Sequence, residues 1–406
     1  MPIAVVDDPR GILGEISAWI YGTEQNLPIM LGVTGTNGKT SVAHLLKAIL
    51  EALGVVAGLS STAERHIGSE VITSRLTTPE APEFHALLAH MRERGVEAVA
   101  DEVAAAVHPE RSRRAVVSLD SEYGVEVVAA ARVPTTTIIT PALAVEPVAA
   151  DWTVDIVAER QHGTTFALHG PDGQSLTTTV PVIGPHMASN AALAIVMLRE
   201  AGYAWERLAA ALDGRRIEAA VPGRTQRVSG ENGPAVYVDF GHSPDAFEKT
   251  LAAVRRITPG RVLMLFGADG DRDTTKRFDM GRTAALGSDI LIITDHHPRH
   301  ENPDDIRAEL LTGARAAVSA TEILEISPPE RAIVEAISRV GDGDAILWAG
   351  PGHQDYRDIR GARVPYSARE LARRALAAAG WAPPAPSWVV PYPRNSTPDS
   401  DPTRPA

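Results

Sequence analysis

A glycine-rich segment between an apolar run and a helical pattern constrains this chain more than any other feature. Residues 31–41 read LGVTGTNGKTS. The apolar residues before the glycines predict a buried strand, and the pattern SVAHLLKAILEALG after them predicts a helix with one apolar face. A strand, a glycine turn and a helix in this order point backbone N–H groups at an anion, at the positive end of the helix. The segment therefore predicts an α/β fold with a phosphate-binding loop.

The loop departs from the usual pattern GxxxxGK[ST], because Val33 stands where that pattern has its first glycine. Its physical elements are nevertheless present. Gly35 and Gly38 permit the turn. Lys39 can reach the outer phosphates of a nucleotide, and the Thr40 hydroxyl can bind Mg2+. The alternative interpretation is a tight strand–helix turn with a surface lysine, but the residue types and their context favour a nucleotide.

Apolar runs alternate with helical patterns along the rest of the chain, which is typical of α/β proteins. We predict a P-loop central ATPase domain, with a parallel sheet and a short β-rich patch, and a C-terminal Rossmann-like α/β domain that begins near Pro222. The predicted parts are a short N-terminal segment at 1–28, the central ATP-binding domain at 29–221, the C-terminal domain at 222–384 and a disordered tail, rich in Pro, Ser and Asp, at 385–406.

Composition excludes several classes of protein. The chain has no cysteine, which rules out disulfides, zinc–thiolate sites and a thiol nucleophile. Its net charge of -12 argues against nucleic acid as a partner. The sequence contains neither an apolar run long enough to span a membrane nor a secretory signal pattern at its start. We therefore expect a cytoplasmic protein that acts on small molecules.

Several motifs, in one order, resemble those of the Mur ligase family, and in particular its UDP-MurNAc-tripeptide synthetase (MurE-like) branch. The similarity extends over residues 5–380. The motifs are GVTGTNGKTS, RLTTPEAPEFHALL, NAALAI, PGR, VDFGHSPDAFEKTL, FGADGDRDTTKRFDMG, DHHPR and AGPGHQDY. The resemblance implies an enzyme that phosphorylates a carboxylate with ATP and Mg2+, after which an amine attacks the acyl phosphate and ADP and phosphate leave.

The resemblance also implies roles for individual residues. The implied ATP-binding residues are Gly35, Thr36, Asn37, Gly38, Lys39, Thr40, Ser41, Asn190, Arg224 and Asp239. The implied catalytic residues are Lys39, Glu102 and His242, and the implied metal ligands are Thr40 and Glu102. Asn190 is expected beside the adenine. For Glu102 the alternative is a solvated loop acid, and for Asp239 and His242 it is capping of a strand end.

The chain departs from the family pattern around its central domain. Few residues precede the ATP loop, so we expect the N-terminal UDP-sugar domain to be missing. Several dozen residues are expected to be missing after Glu102, including a Ser-Ser-His segment, replaced by alanines at 104–106, and an Asp-His metal motif. No lysine lies between Lys47 and Lys249, so the family's carbamylated lysine, a ligand of a second Mg2+, has no counterpart. His108 and Glu110 either substitute for these groups or form a surface turn.

The predicted substrate pocket is also altered. Its implied residues are Thr77, Thr78, His297, Arg299 and Gln354. Arg299 can pair with an amino-acid carboxylate through two hydrogen bonds. The diaminopimelate-type enzymes have Asp-Asn-Pro-Arg where this chain has HHPR, and Gly-Lys-Gly-His-Glu where it has GPGHQ. Neutral Gln354 lacks the charge that would hold a distal ammonium, so we expect a substrate other than diaminopimelate. The His296, His297, His300 cluster raises a metal site as a further alternative.

Three functional hypotheses follow. The first is an ATP-dependent ligase that joins small amino-acid substrates, with a dipeptide or γ-glutamyl product in specialised metabolism. The second is an ATP-binding Mur-like protein that is non-catalytic or needs a protein partner to complete its site. The third is a phosphoryl-transfer enzyme that stops at the acyl phosphate or uses another nucleophile. The nucleotide-binding residues favour the first, and the missing second-metal ligands favour the second.

Overall fold

A computed structural model describes residues 5–73, 79–103 and 112–381 of the chain. The predicted substrate residues Thr77 and Thr78, together with His108, Glu110 and the tail at 385–406, lie outside the described residues. Among the described helices, none has the length and apolar character needed to cross a membrane.

The first sheet contains the strand that precedes the glycine loop. Its strands are β1 (Ile29–Val33), β2 (Ala57–Ser60), β3 (Glu64–Ile67), β4 (Glu70–Thr73) and β5 (Ala98–Glu102), in the spatial order β1-β5-β2-β3-β4. β1, β5 and β2 run parallel, whereas β3 and β4 extend the sheet in antiparallel fashion. The helices of this part are α1 (Leu13–Tyr21), α2 (Lys39–Ala52) and α3 (Ala81–Glu93). Because Val33 pairs with Glu102, β1 enters the loop directly beside that carboxylate.

A second sheet follows in the chain. Its strands are β6 (Ala115–Ser118), β7 (Thr135–Ile139), β8 (Trp152–Arg160), β9 (Gly163–His169) and β10 (Ser175–Val180), in the order β10-β9-β8-β7-β6. The accompanying helices are α4 (Glu122–Ala130), α5 (Pro185–Glu200) and α6 (Trp205–Leu212). β6, β7 and β8 are parallel, and β8, β9 and β10 form an antiparallel meander.

The two sheets share one hydrophobic core although they are separate sheets. Helix α2 packs against α5, and buried residues of both sheets, such as Leu31 and Phe166, belong to the same cluster as Leu46 and Ile195 of these helices. The expectation of one parallel sheet with a β-rich patch is thus refined to two mixed sheets. In the described residues, β1 pairs only with β5 and β6 only with β7, so each ends its sheet.

The third sheet is the largest and is parallel apart from one edge strand. Its strands are β11 (Gln226–Arg227), β12 (Ala235–Asp239), β13 (Val262–Phe266), β14 (Ile290–Ile293), β15 (Glu322–Glu325) and β16 (Ala345–Ala349), in the order β11-β12-β16-β13-β14-β15. A hairpin of β17 (Tyr356–Ile359) and β18 (Ala362–Pro365) stands apart. The helices are α7 (Pro244–Arg256), α8 (Arg277–Gly287), α9 (Pro303–Ala316), α10 (Pro329–Ser338) and α11 (Ala368–Ala378).

Alternate residues of this third sheet enter two different cores. Tyr237 and Met264 belong to one cluster, whereas Val236 and Leu263 belong to another. Since successive side chains of a strand point to opposite faces, both faces of the sheet are covered, as in doubly wound α/β folds. The predicted α/β class, with a P-loop part and a Rossmann-like part, is confirmed. The domain boundaries predicted from the sequence stay predictions.

Candidate active site

The glycine loop joins β1 to α2 in a conformation that requires glycine. Gly38 has φ 86° and Gly35 has φ 144°, a region that residues with a Cβ rarely adopt. A Cβ on Gly38 would lie only 2.7 Å from Oδ1 of Asn190, which projects from α5. The structure thus brings Asn190 against the phosphate loop, and its predicted contact with adenine stays a prediction.

Two residues at the start of α2 supply the side chains that a phosphate loop needs. Lys39 Nζ donates to its own loop, 2.5 Å from the carbonyl oxygen of Gly35 and 3.4 Å from that of Thr36. Thr40 and Ser41 are buried, and the first turn of α2 contains no acidic residue. The positive end of the helix therefore faces the loop without a competing carboxylate from its own first turn.

Glu102 ends β5 at the same edge of the sheet as the loop. Its side chain is only 2% exposed. Its Oε2 accepts a hydrogen bond from the Thr62 hydroxyl at 2.8 Å, and its Oε1 accepts one from the Thr62 N–H at 3.2 Å. A buried carboxylate and the hydroxyl of Thr40 are oxygen ligands of the kind Mg2+ prefers. These residues fit a metal that is bound jointly with nucleotide phosphates.

The C-terminal part reaches the loop through two contacts. Arg224 Nη2 donates to Thr40 Oγ1 at 3.0 Å. Asn37 Nδ2 donates to Oδ2 of Asp245, at the start of α7, at 3.3 Å. The predicted nucleotide residues of the two halves of the chain therefore lie together.

Asp239 and His242 lie near this junction but are engaged locally. Asp239 Oδ2 accepts from the Thr225 N–H at 2.7 Å, and Oδ1 accepts from the Gly241 N–H at 2.7 Å. The exposed His242 donates through Nδ1 to the carbonyl oxygen of Phe240 at 2.9 Å. These are the contacts expected from turns that follow a strand, and the nucleotide and catalytic roles of both residues stay predictions.

His297 and Gln354 form a neutral pair in the predicted amino-acid pocket. The backbone N–H of Asp358 donates to His297 Nδ1 at 2.8 Å, so the ring proton is on Nε2, which lies 2.9 Å from Gln354 Oε1. Burial, together with the neighbouring His296, lowers the pKa of His297 to about 4. The Oε1 atom of Gln354 therefore accepts from His297, which leaves the NH2 donor as the other polar group of this amide.

Arg299 and His296 flank Asp269, which belongs to the motif FGADGDRDTTKRFDMG but for which the sequence predicts no role. Asp269 Oδ2 lies 3.5 Å from Arg299 Nη2, and Asp269 Oδ1 lies 2.9 Å from His296 Nδ1. Burial opposes ionisation of Asp269, but the contact with His296 and the charge of Arg299 outweigh it and hold the pKa below its usual range. Arg299 Nε is buried without a hydrogen-bond partner among the described residues.

The histidine cluster predicted as a metal alternative is rearranged in the structure. His300 leaves the cluster for Asp271, 2.8 Å away, and Asp269 joins His296 and His297 in its place, with ligand atoms within 4.8 Å of one another. The cation of Arg299 beside Asp269 and the proton on His297 Nε2 both disfavour a metal here. The cluster therefore does include a carboxylate, that of Asp269, but the arrangement favours an ion network over a metal site.

A buried polar cluster beneath α2 was missed entirely from the sequence. His44 Nδ1 donates to the carbonyl oxygen of Ala220 at 3.1 Å, and its ring meets that of His66 edge to face at 5.9 Å. His66 Nε2 lies 2.7 Å from Oε2 of Glu64. Next to Glu102, burial raises the pKa of Asp101 to about 6. Only the spacing of His44 from Lys39 on one helix could have drawn attention to it.

His44 predicts a dependence of stability on pH. Burial lowers its pKa to about 3 in the folded chain, so between pH 6.5 and pH 3 the unfolded chain takes up a proton that the folded chain does not. The stabilisation of the folded chain by neutral His44 is complete above pH 6.5. Between pH 6.5 and pH 3 the free energy of unfolding falls by about 1.4 kcal/mol for each unit by which the pH is lowered. We expect His44→Gln to be less stable than the parent at pH 7, and to recover about 2 kcal/mol of that difference at pH 5.

Denaturant unfolding at both pH values measures this effect. The control is His169→Gln, which removes an exposed imidazole in place of a buried one. A His44→Gln difference that does not change with pH would show that His44 titrates normally in the folded chain.

Comparisons with known proteins place this geometry among ligases. The sequence pattern of the Mur ligase middle domain matches residues 33–114 and 106–198, and that of the Mur ligase glutamate ligase domain matches residues 223–352. A UDP-N-acetylmuramyl-tripeptide synthetase of Leifsonia xyli subsp. xyli is 50% identical over 424 positions, covering 94% of this chain and 82% of that protein. A UDP-N-acetylmuramoyl-L-alanyl-D-glutamate–2,6-diaminopimelate ligase of Streptomyces coelicolor is 37% identical, covering 93% and 81%.

Solved structures agree on the fold. A UDP-N-acetylmuramoyl-L-alanyl-D-glutamate–2,6-diaminopimelate ligase has a TM-score of 0.61 at 23% identity, covering 93% of this chain and 85% of that one. A Mycobacterium tuberculosis folylpolyglutamate synthase, solved with ADP and AMPPCP, has a TM-score of 0.61 at 15% identity, covering 83% and 91%. Because the sequence relatives are named for UDP-N-acetylmuramoyl substrates, the expected role in specialised metabolism is wrong, whereas the expected kind of enzyme, an ATP-dependent ligase, is confirmed.

Proposed function

The chain belongs to the Mur ligase family of ATP-dependent acid–amino-acid ligases, and we propose that it joins an amino acid to the terminal carboxylate of a UDP-N-acetylmuramoyl-peptide. The observation that carries the proposal is the contact of Arg224 with Thr40. It brings a residue of the C-terminal domain to the phosphate loop, so that an amine held by the C-terminal domain can meet a carboxylate activated at the loop. ATP and Mg2+ are the proposed cofactors, and a cytoplasmic location stays a prediction.

The residues around the loop have different roles in activating the carboxylate. Lys39 and the N-terminus of α2 offset the negative charge of the transferred phosphoryl group. Thr40 and Glu102 would hold Mg2+, which lowers the charge repulsion met by an attacking carboxylate. Gly35 and Gly38 allow the backbone of the loop to approach the phosphates.

The amino-acid pocket supports a substrate without a second ammonium group. Arg299 offers its guanidinium to the amino-acid carboxylate, and its Nε has no partner among the described residues that would compete. Gln354, fixed by His297, presents a donor where an ammonium would need an acceptor. The pocket therefore suits a neutral or acidic side chain, and diaminopimelate and lysine are unfavourable.

A panel assay tests this function. We expect the purified chain, with ATP, Mg2+ and UDP-N-acetylmuramoyl-L-alanyl-D-glutamate, to release ADP with a subset of neutral or acidic amino acids and to form a product of matching mass. Gln354→Glu should improve use of lysine or diaminopimelate by about tenfold or more, because a carboxylate can pair with the distal ammonium. The control is Gln174→Glu, at the residue directly before β10, whose Oε1 accepts from Arg199 Nε at 3.4 Å. ADP release with diaminopimelate alone would contradict the proposed specificity.

A second candidate is a ligase that needs a partner chain. The alignment with the Leifsonia protein has 424 positions but includes only 94% of the 406 residues of this chain. Several dozen of its positions therefore have no residue of this chain in them. The sequence has no lysine between Lys47 and Lys249. Both observations support an incomplete metal site. ATP binding without turnover on any amino acid, restored by adding a second Mur-type ligase from the same cell, would favour this candidate.

A further inference from the structure

Arg224 stands at the point where the two halves of the chain meet, and its guanidinium is held on both sides. Nη2 donates to Thr40 Oγ1 at 3.0 Å. On the other side the guanidinium carbon lies 4.4 Å from the centre of the Phe240 ring, within the range of a cation–π contact. Phe240 is in turn packed against the ring of His353 at 5.1 Å. The arginine is therefore fixed by aromatic packing and aimed at the first turn of α2.

Arg224 is a cation in direct contact with Thr40, one of the two proposed metal ligands. Burial lowers its pKa, but the carboxylates of Asp239 and Glu102 lie close enough to oppose that effect. His44 and His353, which face the same region, are neutral because burial lowers the pKa of each to about 3. Lys39 is turned back on the carbonyl oxygens of its own loop.

One nitrogen of the guanidinium is not satisfied. Nη1 of Arg224 is buried and has no hydrogen-bond partner among the residues that the structure describes. Buried donors are nearly always paired, and a charged donor without an acceptor is especially unfavourable. An anion at the loop, such as a phosphate oxygen, would supply the acceptor.

We propose that the Arg224 guanidinium takes the place of the metal ion at the phosphate loop. Without nucleotide it donates a hydrogen bond to the Thr40 hydroxyl, and when ATP binds it releases this hydroxyl, which then binds the metal. In the nucleotide-free chain the guanidinium balances the charge of Glu102 and excludes a divalent cation from Thr40. When ATP binds, Nη1 donates a hydrogen bond to a phosphate oxygen, and the hydrogen bond from Nη2 to the Thr40 hydroxyl is lost. Arg224 is thus a positioning residue that couples nucleotide binding to metal binding. The inference rests on the proposed ATP site.

We expect Arg224→Met to change the affinities for Mn2+ and for an ATP analogue in opposite directions. Arg224→Met keeps an unbranched side chain over Phe240 but removes the charge. In the absence of nucleotide we expect this variant to bind Mn2+ at least about tenfold more tightly than the parent, because a repelling cation is gone. In EDTA it should bind a non-hydrolysable ATP analogue at least about tenfold more weakly, because a phosphate donor is gone. Electron paramagnetic resonance of free Mn2+ and calorimetry measure the two affinities.

Two further variants separate the effect of the Arg224 charge from that of losing a contact between the two halves of the chain. Arg256→Met removes another ion pair between the halves of the chain, formed with Glu159 at 2.7 Å, and should leave both affinities unchanged. Arg224→Lys retains a cation and should keep the weak Mn2+ binding of the parent, which also covers the case in which Arg224→Met fails to fold.

The outcomes are distinct. Mn2+ binding by Arg224→Met that is unchanged or weaker than that of the parent would overturn the proposal, because a disturbed local structure alone weakens both affinities. Mn2+ binding by Arg224→Lys as tight as that expected for Arg224→Met would overturn it as well. Failure of the parent chain to bind the ATP analogue would instead count against the proposed function, while the nucleotide-free Mn2+ measurement would still decide whether Arg224 guards Thr40.

Discussion

Replacing Lys39 with alanine is expected to reduce ADP formation by about a thousandfold, because a positioned cation on a transferring phosphoryl group contributes about this much to the rate. The Lys39 ammonium lies 2.5 Å from the Gly35 carbonyl oxygen, within its own loop. Its removal takes away a ligand for ATP without opening a cavity in the core. Steady-state ADP formation with saturating amino acid and acceptor measures the effect.

Lys47→Ala is the matched control for this change. Lys47 lies on the same helix two turns away and pairs with Glu51 at 2.5 Å. An ion pair four residues apart on a helix contributes only about 0.3–0.5 kcal/mol to stability, so the rate should stay near that of the parent. If Lys39→Ala also retained most of the activity, the loop would not hold the phosphates that are transferred.

Replacing Glu102 with glutamine is expected to raise the Mg2+ concentration needed for half-maximal activity by at least about tenfold and to lower the maximal rate by about a hundredfold. The amide keeps the size of the side chain and can still accept from Thr62, but it lacks the negative charge that a hard cation requires. A titration of ADP formation with Mg2+ separates the two effects.

Glu97 provides the comparison for Glu102. It lies just before the other end of β5 and accepts a hydrogen bond from the Val56 N–H at 3.2 Å. Glu97→Gln should leave the Mg2+ dependence unchanged. A Glu102→Gln enzyme with normal Mg2+ dependence and a normal rate would assign this carboxylate to holding Thr62 and would require another ligand for the metal.

Much of the fold and the nucleotide side of the site could be predicted from the sequence because they depend on local patterns. The strand, turn and helix around Gly38 follow from apolar periodicity and from the conformations that only glycine adopts easily. The order of the motifs placed Arg224 and Glu102 near the loop, and the structure brings both there. These features depend on neighbours in the sequence or on one shared family pattern.

The rest could not be predicted because it depends on contacts between distant segments. Asp269 reaches His296 only because β13 and β14 are neighbours whose carboxyl ends lie at the same edge of the sheet. His44 and His66 meet through the corner after β2, and nothing in their local sequence marks them. The division into two sheets likewise follows from which strands pair and not from the character of any one strand.

The edge of β1 that has no partner strand among the described residues bears on how the protein is handled. Within the described residues this strand is hydrogen-bonded on one side only, and Ile29 and Met30 along it are 44% and 38% exposed. Open strand edges with apolar side chains pair readily with other chains. A lysine in place of Met30 is therefore the simplest change expected to reduce such pairing.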